Sequence, residues 1–232
     1  MNRLIVVVLA AAFLMITVPA VQAYQYTFEI NRFPGYFQTG FEGGEFSIRP
    51  ISGFGNTLSL YDADAKNSQG TYFETFCLEK NEYVNIPGTY YANLNSEALN
   101  GGQGGPHPDP ISVGTAWLYN QFRLGILTDY DYNTLGNRAA DARALQEAIW
   151  WLEGELSYDP ITNEFRNAVV AYFGSVLAAM ADNNWQIPVG VLNLYDGNDG
   201  RHQDQLVAVP EPGIILLLGF GLAGIGILRR KS

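Results

Sequence analysis

The residue best suited to unusual chemistry is Cys77, the single cysteine of this 232-residue chain. A lone cysteine cannot form an internal disulfide, so its thiol is available for intermolecular pairing or for a special chemical role. The alternative is an inert, buried cysteine that behaves as a small hydrophobic residue. Which of these applies depends on the compartment of the protein and on the elements that surround the thiol.

The other candidate sites are weaker. The segment Asp196-Gly197-Asn198-Asp199-Gly200 has oxygen ligands at alternating positions, but it lacks the remaining spacing and the terminal Glu of an EF-hand, which favours a hairpin turn. His107 and His202 have no partners at metal-ligand spacing. We therefore predict no metal site and no cofactor.

No motif of a turnover enzyme is present. The sequence contains no nucleophile elbow, phosphate loop or dinucleotide fingerprint. Glu153 and Glu155 could flank a glycosidic bond, but any pair chosen from so many acidic residues is uninformative. We expect no catalytic residues.

The first 23 residues have the layout of a secretory signal peptide. Arg3 is a short basic start, residues 4–18 are apolar, and Val21-Gln22-Ala23 is a small-residue cleavage site. A buried core helix or a membrane span is the alternative, but the run is short for a span. We therefore expect export.

The C-terminal segment 209–232 has three parts. Val209-Pro210-Glu211-Pro212 precedes sixteen uncharged residues at 213–228, and a basic tail of Arg229, Arg230 and Lys231 follows. A helix of that length covers about 24 Å, less than the roughly 30 Å hydrocarbon core. We predict a short transmembrane helix that crosses only where the bilayer thins or its flanking side chains snorkel. The basic tail favours a cytoplasmic C-terminus, with the body on the other side of the membrane.

This order resembles the PEP-CTERM signal of proteins sorted by exosortases in Gram-negative bacteria. The resemblance implies that Pro210, Glu211 and Pro212 are recognised by the exosortase. It also implies that the protein is membrane-anchored transiently, that the tail is then removed, and that the protein resides at the cell surface or in the biofilm matrix. An ordinary single-pass anchor is the alternative.

The body between these signals, residues 24–208, fits one domain. It carries nine basic and 22 acidic residues, a net charge near −13. This charge disfavours nucleic acid as a partner, whereas an acidic body suits solubility and divalent cations.

The first part of the body is aromatic and β-branched, with turn formers such as Glu42-Gly43-Gly44 between the candidate strands. We predict strands at 24–30, 45–49, 57–61, 71–79 and 89–91, followed by a flexible Gly- and Pro-rich loop at 101–110.

A helical period follows the loop. We predict one helix with Asp109 as N-cap and Pro110 as its first residue, and two others at 137–156 and 162–180. The apolar faces of the two longer helices are Ala142, Leu145, Ile149 and Leu152, and then Phe165, Val169, Tyr172, Val176 and Met180. Two strands at 186–195 and 205–209 complete an α+β fold: a β-sandwich or barrel with an inserted helical subdomain.

Two segments of the body resemble the thioester domains of bacterial surface adhesins: Phe76-Cys77-Leu78 in the strand, and Gln146-x-Ala148-Ile149-Trp150 in the helix. The resemblance implies that the Cys77 sulfur replaces the Gln146 amide nitrogen and releases ammonia. Leu145 departs from the family, in which many members have Thr. We expect nearby aromatic residues to exclude water from such a bond: Tyr72, Phe73, Phe76, Trp150 and Trp151. The alternative is that Cys77 and Gln146 are unrelated core residues.

The leading hypothesis is an exported surface or matrix protein that attaches once, through a Cys77–Gln146 thioester, to an amine or hydroxyl of a protein or polysaccharide. The alternative is a non-covalent structural or carbohydrate-binding matrix protein, and a secreted glycan hydrolase ranks third.

Overall fold

The computed structural model describes residues 25–53, 72–99, 108–198 and 200–209. Four predicted features lie outside these residues: the signal peptide, the strand at 57–61, most of the Gly- and Pro-rich loop, and the sorting motif with the predicted hydrophobic helix. Within them, no helix is both long enough and apolar enough to cross a membrane.

Six antiparallel strands form one curled sheet, a half-barrel with the order β3-β2-β1-β4-β7-β8. Residues alternate between its two faces, as in β1, where Tyr26, Phe28 and Ile30 are buried and the residues between them are half-buried. A separate two-stranded sheet pairs β5 with β6. The strands are β1 (Gln25–Asn31), β2 (Phe46–Ser52), β3 (Phe73–Thr75), β4 (Gly88–Asn95), β5 (Glu97–Ala98), β6 (Asp109–Pro110), β7 (Val189–Tyr195) and β8 (Arg201–Ala208).

The two edges of the sheet approach each other immediately after β3. Residues 76–78, here called the closure segment, leave β2 and pair with β8. Leu206 N donates to Phe76 O at 3.0 Å, and Leu78 N donates to Asp204 O at 3.1 Å. The predicted strand 71–79 is therefore wrong in extent: β3 covers only three of its residues, because the chain changes partner at this point.

Four helices are inserted between β6 and β7: α1 (Val113–Arg123), α2 (Leu135–Leu152), α3 (Glu164–Phe173) and α4 (Val176–Ala179). The predicted start of the first helix is wrong, since Asp109–Pro110 is β6 and pairs with β5. Ser112 is the N-cap instead, and its side chain accepts a hydrogen bond from Thr115 N. Helix 162–180 is divided because Gly174, at φ 79°, ends α3 in the left-handed conformation.

The helical face predicted for α2 is confirmed: Ala142, Leu145, Ile149 and Leu152 are all buried. In the third predicted helix, Phe165 and Val169 are buried, but Tyr172 is 63% exposed and stacks on Trp117. The predicted face is therefore wrong at Tyr172, which points away from the buried side of α3. Val176 and Met180, which follow the break at Gly174, are half-buried and pack against the core.

The α+β class and the inserted helices are confirmed. The described residues form one curled sheet and not the two packed sheets of a sandwich. The apolar core has two parts that meet at α2: Ile149 packs among the helices, whereas Trp150 packs with the sheet residues Phe28 and Phe73. Helix α2 therefore presents side chains directly to the concave side of the sheet.

Candidate functional site

Cys77 lies in the middle of the closure segment, opposite Gln205 of β8. Because side chains alternate along an extended segment, Phe76 and Leu78 pack with the helical part of the core while Cys77 packs with the sheet part. The Cys77 side chain is completely buried.

Gln146 reaches Cys77 from α2, and it is completely buried as well. Its amide pairs with the Cys77 backbone in both directions: Cys77 N donates to Gln146 Oε1 at 3.2 Å, and Gln146 Nε2 donates to Cys77 O at 2.8 Å. The side chain therefore satisfies the Cys77 backbone groups in the way a neighbouring strand would. The structure brings the two predicted residues together across 69 positions of sequence.

The thiol is in contact with the amide. Cys77 Sγ lies 3.2 Å from Gln146 Oε1. Since a carbonyl bond is about 1.23 Å long, the sulfur is within about 4.4 Å of the amide carbon Cδ. Near-attack geometry requires the reacting atoms to be about 3–3.5 Å apart, so the sulfur is at most about 0.9 Å beyond that range.

Two backbone N–H groups converge on the Gln146 oxygen. Gly44 N donates to Oε1 at 3.2 Å, in addition to the bond from Cys77 N. Paired N–H donors directed at one carbonyl oxygen are the arrangement that stabilises an oxyanion during acyl transfer. Gly44 was not predicted as a site residue, because its glycine pair indicated only a turn between strands.

The segment 41–45, here called the glycine loop, is held on two sides. Arg32 donates from its guanidinium to the carbonyl oxygens of Glu42 at 2.6 Å and Gly43 at 2.7 Å. On the other side, Glu45 forms an ion pair with Arg138 of α2, and both side chains are completely buried. Because Arg138 and Gln146 belong to the same helix, this ion pair fixes the position of Gly44 relative to the Gln146 amide.

Gly43 allows close packing of the loop on α2. A Cβ atom at this position would lie 2.6 Å from Gln146 Cγ and 2.6 Å from Trp150 Cη2, which is shorter than any normal contact. Glycine is therefore required for the loop to approach the helix.

Aromatic side chains cover the pair, though not all of those predicted. Phe73 and Trp150 share the sheet part of the core with Cys77, and Phe41 contacts Trp150 at 5.5 Å between ring centroids. Phe76 and Trp151 lie in the helical part of the core, and Tyr72 is half-buried beside Phe33.

Burial raises the pKa of the Cys77 thiol, and the nearby Glu79 carboxylate raises it further. The thiol is therefore protonated at neutral pH, which leaves it able to donate to Gln146 Oε1.

The weaker candidates have structural partners. Asp196 Oδ1 accepts hydrogen bonds from Asn198 N and Gly200 N and so stabilises the turn between β7 and β8, while Asp199 lies outside the described residues. His202 packs on the Tyr90 ring, and His107 lies outside the described residues. Glu153 accepts from Ser112, and Glu155 accepts from Lys80 N.

Comparison with protein-family models addresses the C-terminal segment. Residues 208–231 match the PEP-CTERM protein-sorting motif. The match confirms the predicted motif and indicates an exported surface protein that an exosortase processes. The matched residues include Pro210, Glu211, Pro212, Arg229, Arg230 and Lys231. No curated protein and no solved structure matches the chain.

Proposed function

We propose that this exported protein forms an internal thioester between Cys77 and Gln146 and uses it once, to attach covalently to a partner at the cell surface or in the biofilm matrix. The observation that carries the proposal is the contact of Cys77 Sγ with Gln146 Oε1 at 3.2 Å, at an oxygen that already accepts two backbone N–H groups.

Thioester formation follows from this geometry. The Cys77 sulfur adds to Cδ of Gln146, and the developing charge on Oε1 is stabilised by the N–H groups of Gly44 and Cys77. The Cδ–Nε2 bond then breaks, and Nε2 leaves as ammonia with the thiol proton. One S–C bond replaces one C–N bond, without any oxidant or cofactor.

Attachment is a second acyl transfer. An amine or hydroxyl of a protein or polysaccharide adds to the thioester carbon, the C–S bond breaks, and the nucleophile's proton passes to the Cys77 sulfur. The product is an amide or ester through the residue-146 side chain. Each molecule reacts once, so the protein is not a turnover enzyme.

Burial protects the thioester bond from hydrolysis. A thioester is hydrolysed where water reaches it, and both reacting side chains are completely buried. The glycine loop lies between them and solvent, since Phe41 and Glu42 are its exposed or half-exposed residues while Gly43 and Gly44 are buried. Displacement of this loop is the route by which a partner nucleophile reaches Gln146.

Sorting and attachment are sequential in this proposal. The hydrophobic C-terminal segment holds the protein transiently in the inner membrane, and the exosortase removes the tail. The thioester then provides the lasting attachment from a different part of the molecule.

Intact-mass spectrometry of the purified protein tests the proposal. We expect a mass lower by one ammonia, restored to the full value in Cys77→Ala and in Gln146→Ala. Gln121→Ala, on α1, is the matched control and should keep the deficit. Incubation with a small amine should label the wild type at residue 146 and leave Cys77→Ala unlabelled. A full mass for the wild type, or equal labelling of the two proteins, would exclude the thioester.

One observation favours the non-covalent alternative. Trp117 stacks on the exposed Tyr172 with ring centroids 4.6 Å apart, which is an aromatic surface suited to a sugar ring. Matrix polysaccharide binding that is retained in Cys77→Ala and lost in Tyr172→Ala would support this function instead.

A further inference from the structure

Three carboxylates meet beside the closure segment. Glu79 follows the segment, Glu82 lies three residues further on, and Asp204 belongs to β8. One oxygen from each lies within 4.8 Å of the others. Glu79 is 4% exposed and Asp204 is 1% exposed, while Glu82 is half-buried. These three residues are here called the acidic cluster.

Glu79 is incompletely satisfied within the described part of the chain. Both of its carboxylate oxygens are buried, and neither accepts a hydrogen bond from a described residue. Asp204 differs, since it accepts from Leu99 N at 2.8 Å, Asn193 Nδ2 at 2.9 Å and Leu194 N at 3.2 Å. A buried carboxylate without a partner is costly, so Glu79 requires either a cation or a proton.

Without a bound cation, the carboxylates of the acidic cluster repel one another when they are charged. One oxygen of Glu79 lies within 4.8 Å of one oxygen of Asp204 and one of Glu82, so the negative charges of these carboxylates repel at close range. A bound cation would remove this repulsion and would complete the coordination of the Glu79 oxygens.

The spacing fits a hard divalent ion. Calcium–oxygen distances of about 2.3–2.6 Å allow two ligand oxygens of one ion to be at most about 5.2 Å apart. The cluster oxygens satisfy this limit. Because all three ligands are carboxylates, calcium or a similar oxygen-preferring ion is favoured over zinc or copper.

We propose that Glu79, Glu82 and Asp204 bind a calcium ion, and that this ion joins the end of the closure segment to β8. Glu79 is two residues from Cys77, and Asp204 is next to Gln205, which pairs with Cys77. The ion would therefore stabilise the closure of the sheet at the point where Cys77 is held. Calcium binding does not depend on thioester formation.

Calorimetric titration of the full-length, calcium-depleted protein with CaCl2 tests the site. We expect one saturable site with a Kd in the range of about 10⁻⁵ to 10⁻³ M, typical of extracellular modules and weaker sensors. MgCl2 should bind more weakly, because its stricter octahedral geometry and its hydration disfavour a carboxylate site of this kind. The melting temperature should rise on addition of CaCl2.

Variants assign the ligands. Glu79→Gln keeps the side-chain shape and should weaken calcium binding at least tenfold. Glu82→Gln changes a half-buried residue, so it should fold normally and weaken binding as well. Glu164→Gln, an exposed carboxylate at the start of α3, is the charge-matched control and should bind as the wild type does.

Two results would overturn the proposal: no saturable calcium binding by the wild type, or equal binding by Glu79→Gln, Glu82→Gln and the wild type. Cys77→Ala should retain binding. The outcome is therefore distinguishable from that of the ammonia measurement, since either property can fail while the other persists.

Discussion

The Cys77–Gln146 pair and the acidic cluster come within two positions of each other along the chain, at Cys77 and Glu79, yet they differ in how their polar groups are satisfied. At the pair, Gln146 Oε1 accepts from Gly44 N and Cys77 N, and Nε2 donates to Cys77 O. At the cluster, both oxygens of Glu79 are buried without a hydrogen bond from the described residues. Backbone groups satisfy the neutral amide of Gln146, whereas the buried Glu79 carboxylate requires a cation or a proton. We therefore proposed acyl-transfer chemistry for the first region and an ion site for the second.

The largest expected effect comes from removing the buried Glu45–Arg138 ion pair, which positions the glycine loop beside the Cys77–Gln146 pair. Arg138→Leu leaves Glu45 as a buried carboxylate without its ion-pair partner, which should lower the free energy of unfolding by about 3–5 kcal/mol. The glycine loop should also lose its position relative to Gln146. We expect a smaller fraction of molecules to lack ammonia in intact-mass spectra, and urea denaturation should show the loss of stability.

Arg143→Leu is the control for this variant. Arg143 is on the same helix, but its ion pair with Glu147 is solvent-exposed, so the change should cost about 1 kcal/mol or less. Equal destabilisation by the two substitutions would contradict the assigned role of the buried pair.

A change at Gly43 tests how closely the glycine loop must approach α2. In Gly43→Ala, the added Cβ would lie 2.6 Å from both Gln146 Cγ and Trp150 Cη2, so the loop or the amide has to move. We expect a loss of about 1–3 kcal/mol of stability and slower loss of ammonia in a time course after refolding.

Gly136→Ala provides a matched comparison on α2, because a Cβ there meets no atom within 4 Å. Alanine is the better helix former, so stability should be unchanged or higher by up to about 1 kcal/mol. If Gly43→Ala behaves in the same way, close approach of the loop is not required.

Glu153 can be compared with Glu79, because it is a half-buried carboxylate that does accept hydrogen bonds. Burial raises its pKa to about 7 and outweighs the hydrogen bonds from Ser112 N and Ser112 Oγ to its Oε1, which lower the pKa. Between the ordinary carboxyl pKa and pH 7, the folded state then binds more protons than the unfolded state. The Glu153 contribution to stability should therefore be complete at low pH and be lost as the pH rises through about 7.

Glu153→Gln should flatten this dependence, by up to about 1.4 kcal/mol per pH unit between the two pKa values. Urea denaturation of both proteins from pH 4 to pH 8 measures this dependence, since those limits lie on either side of the window between the ordinary carboxyl pKa and about 7. Parallel stability profiles for the wild type and the variant would contradict the assignment. Glu164→Gln, at an exposed carboxylate, is the charge-matched control.

Local patterns predicted much of the fold, and the errors have physical causes. The apolar face of α2 was predictable because helical periodicity places Leu145 and Ile149 on one side. The extent of β3 was not predictable, because the change of pairing partner after Thr75 depends on β8. Thr75 Oγ1 donates to Leu206 O of β8, which is 131 positions away in sequence. The start of α1 was wrong because Asp109–Pro110 pairs with β5 and so is withdrawn from the helix.

The sequence by itself determined the linear features: the sorting motif, which is recognised as a short segment, and the identities of Cys77 and Gln146, which stand in recognisable local patterns. Only the tertiary structure decided that Gly44 N is directed at the Gln146 oxygen and that Arg138 pairs with Glu45. It also decided that Glu79 meets Asp204. Local periodicity and propensity report on neighbours along the chain, whereas these contacts form only when the sheet curls and α2 packs against it, so no local pattern encodes them.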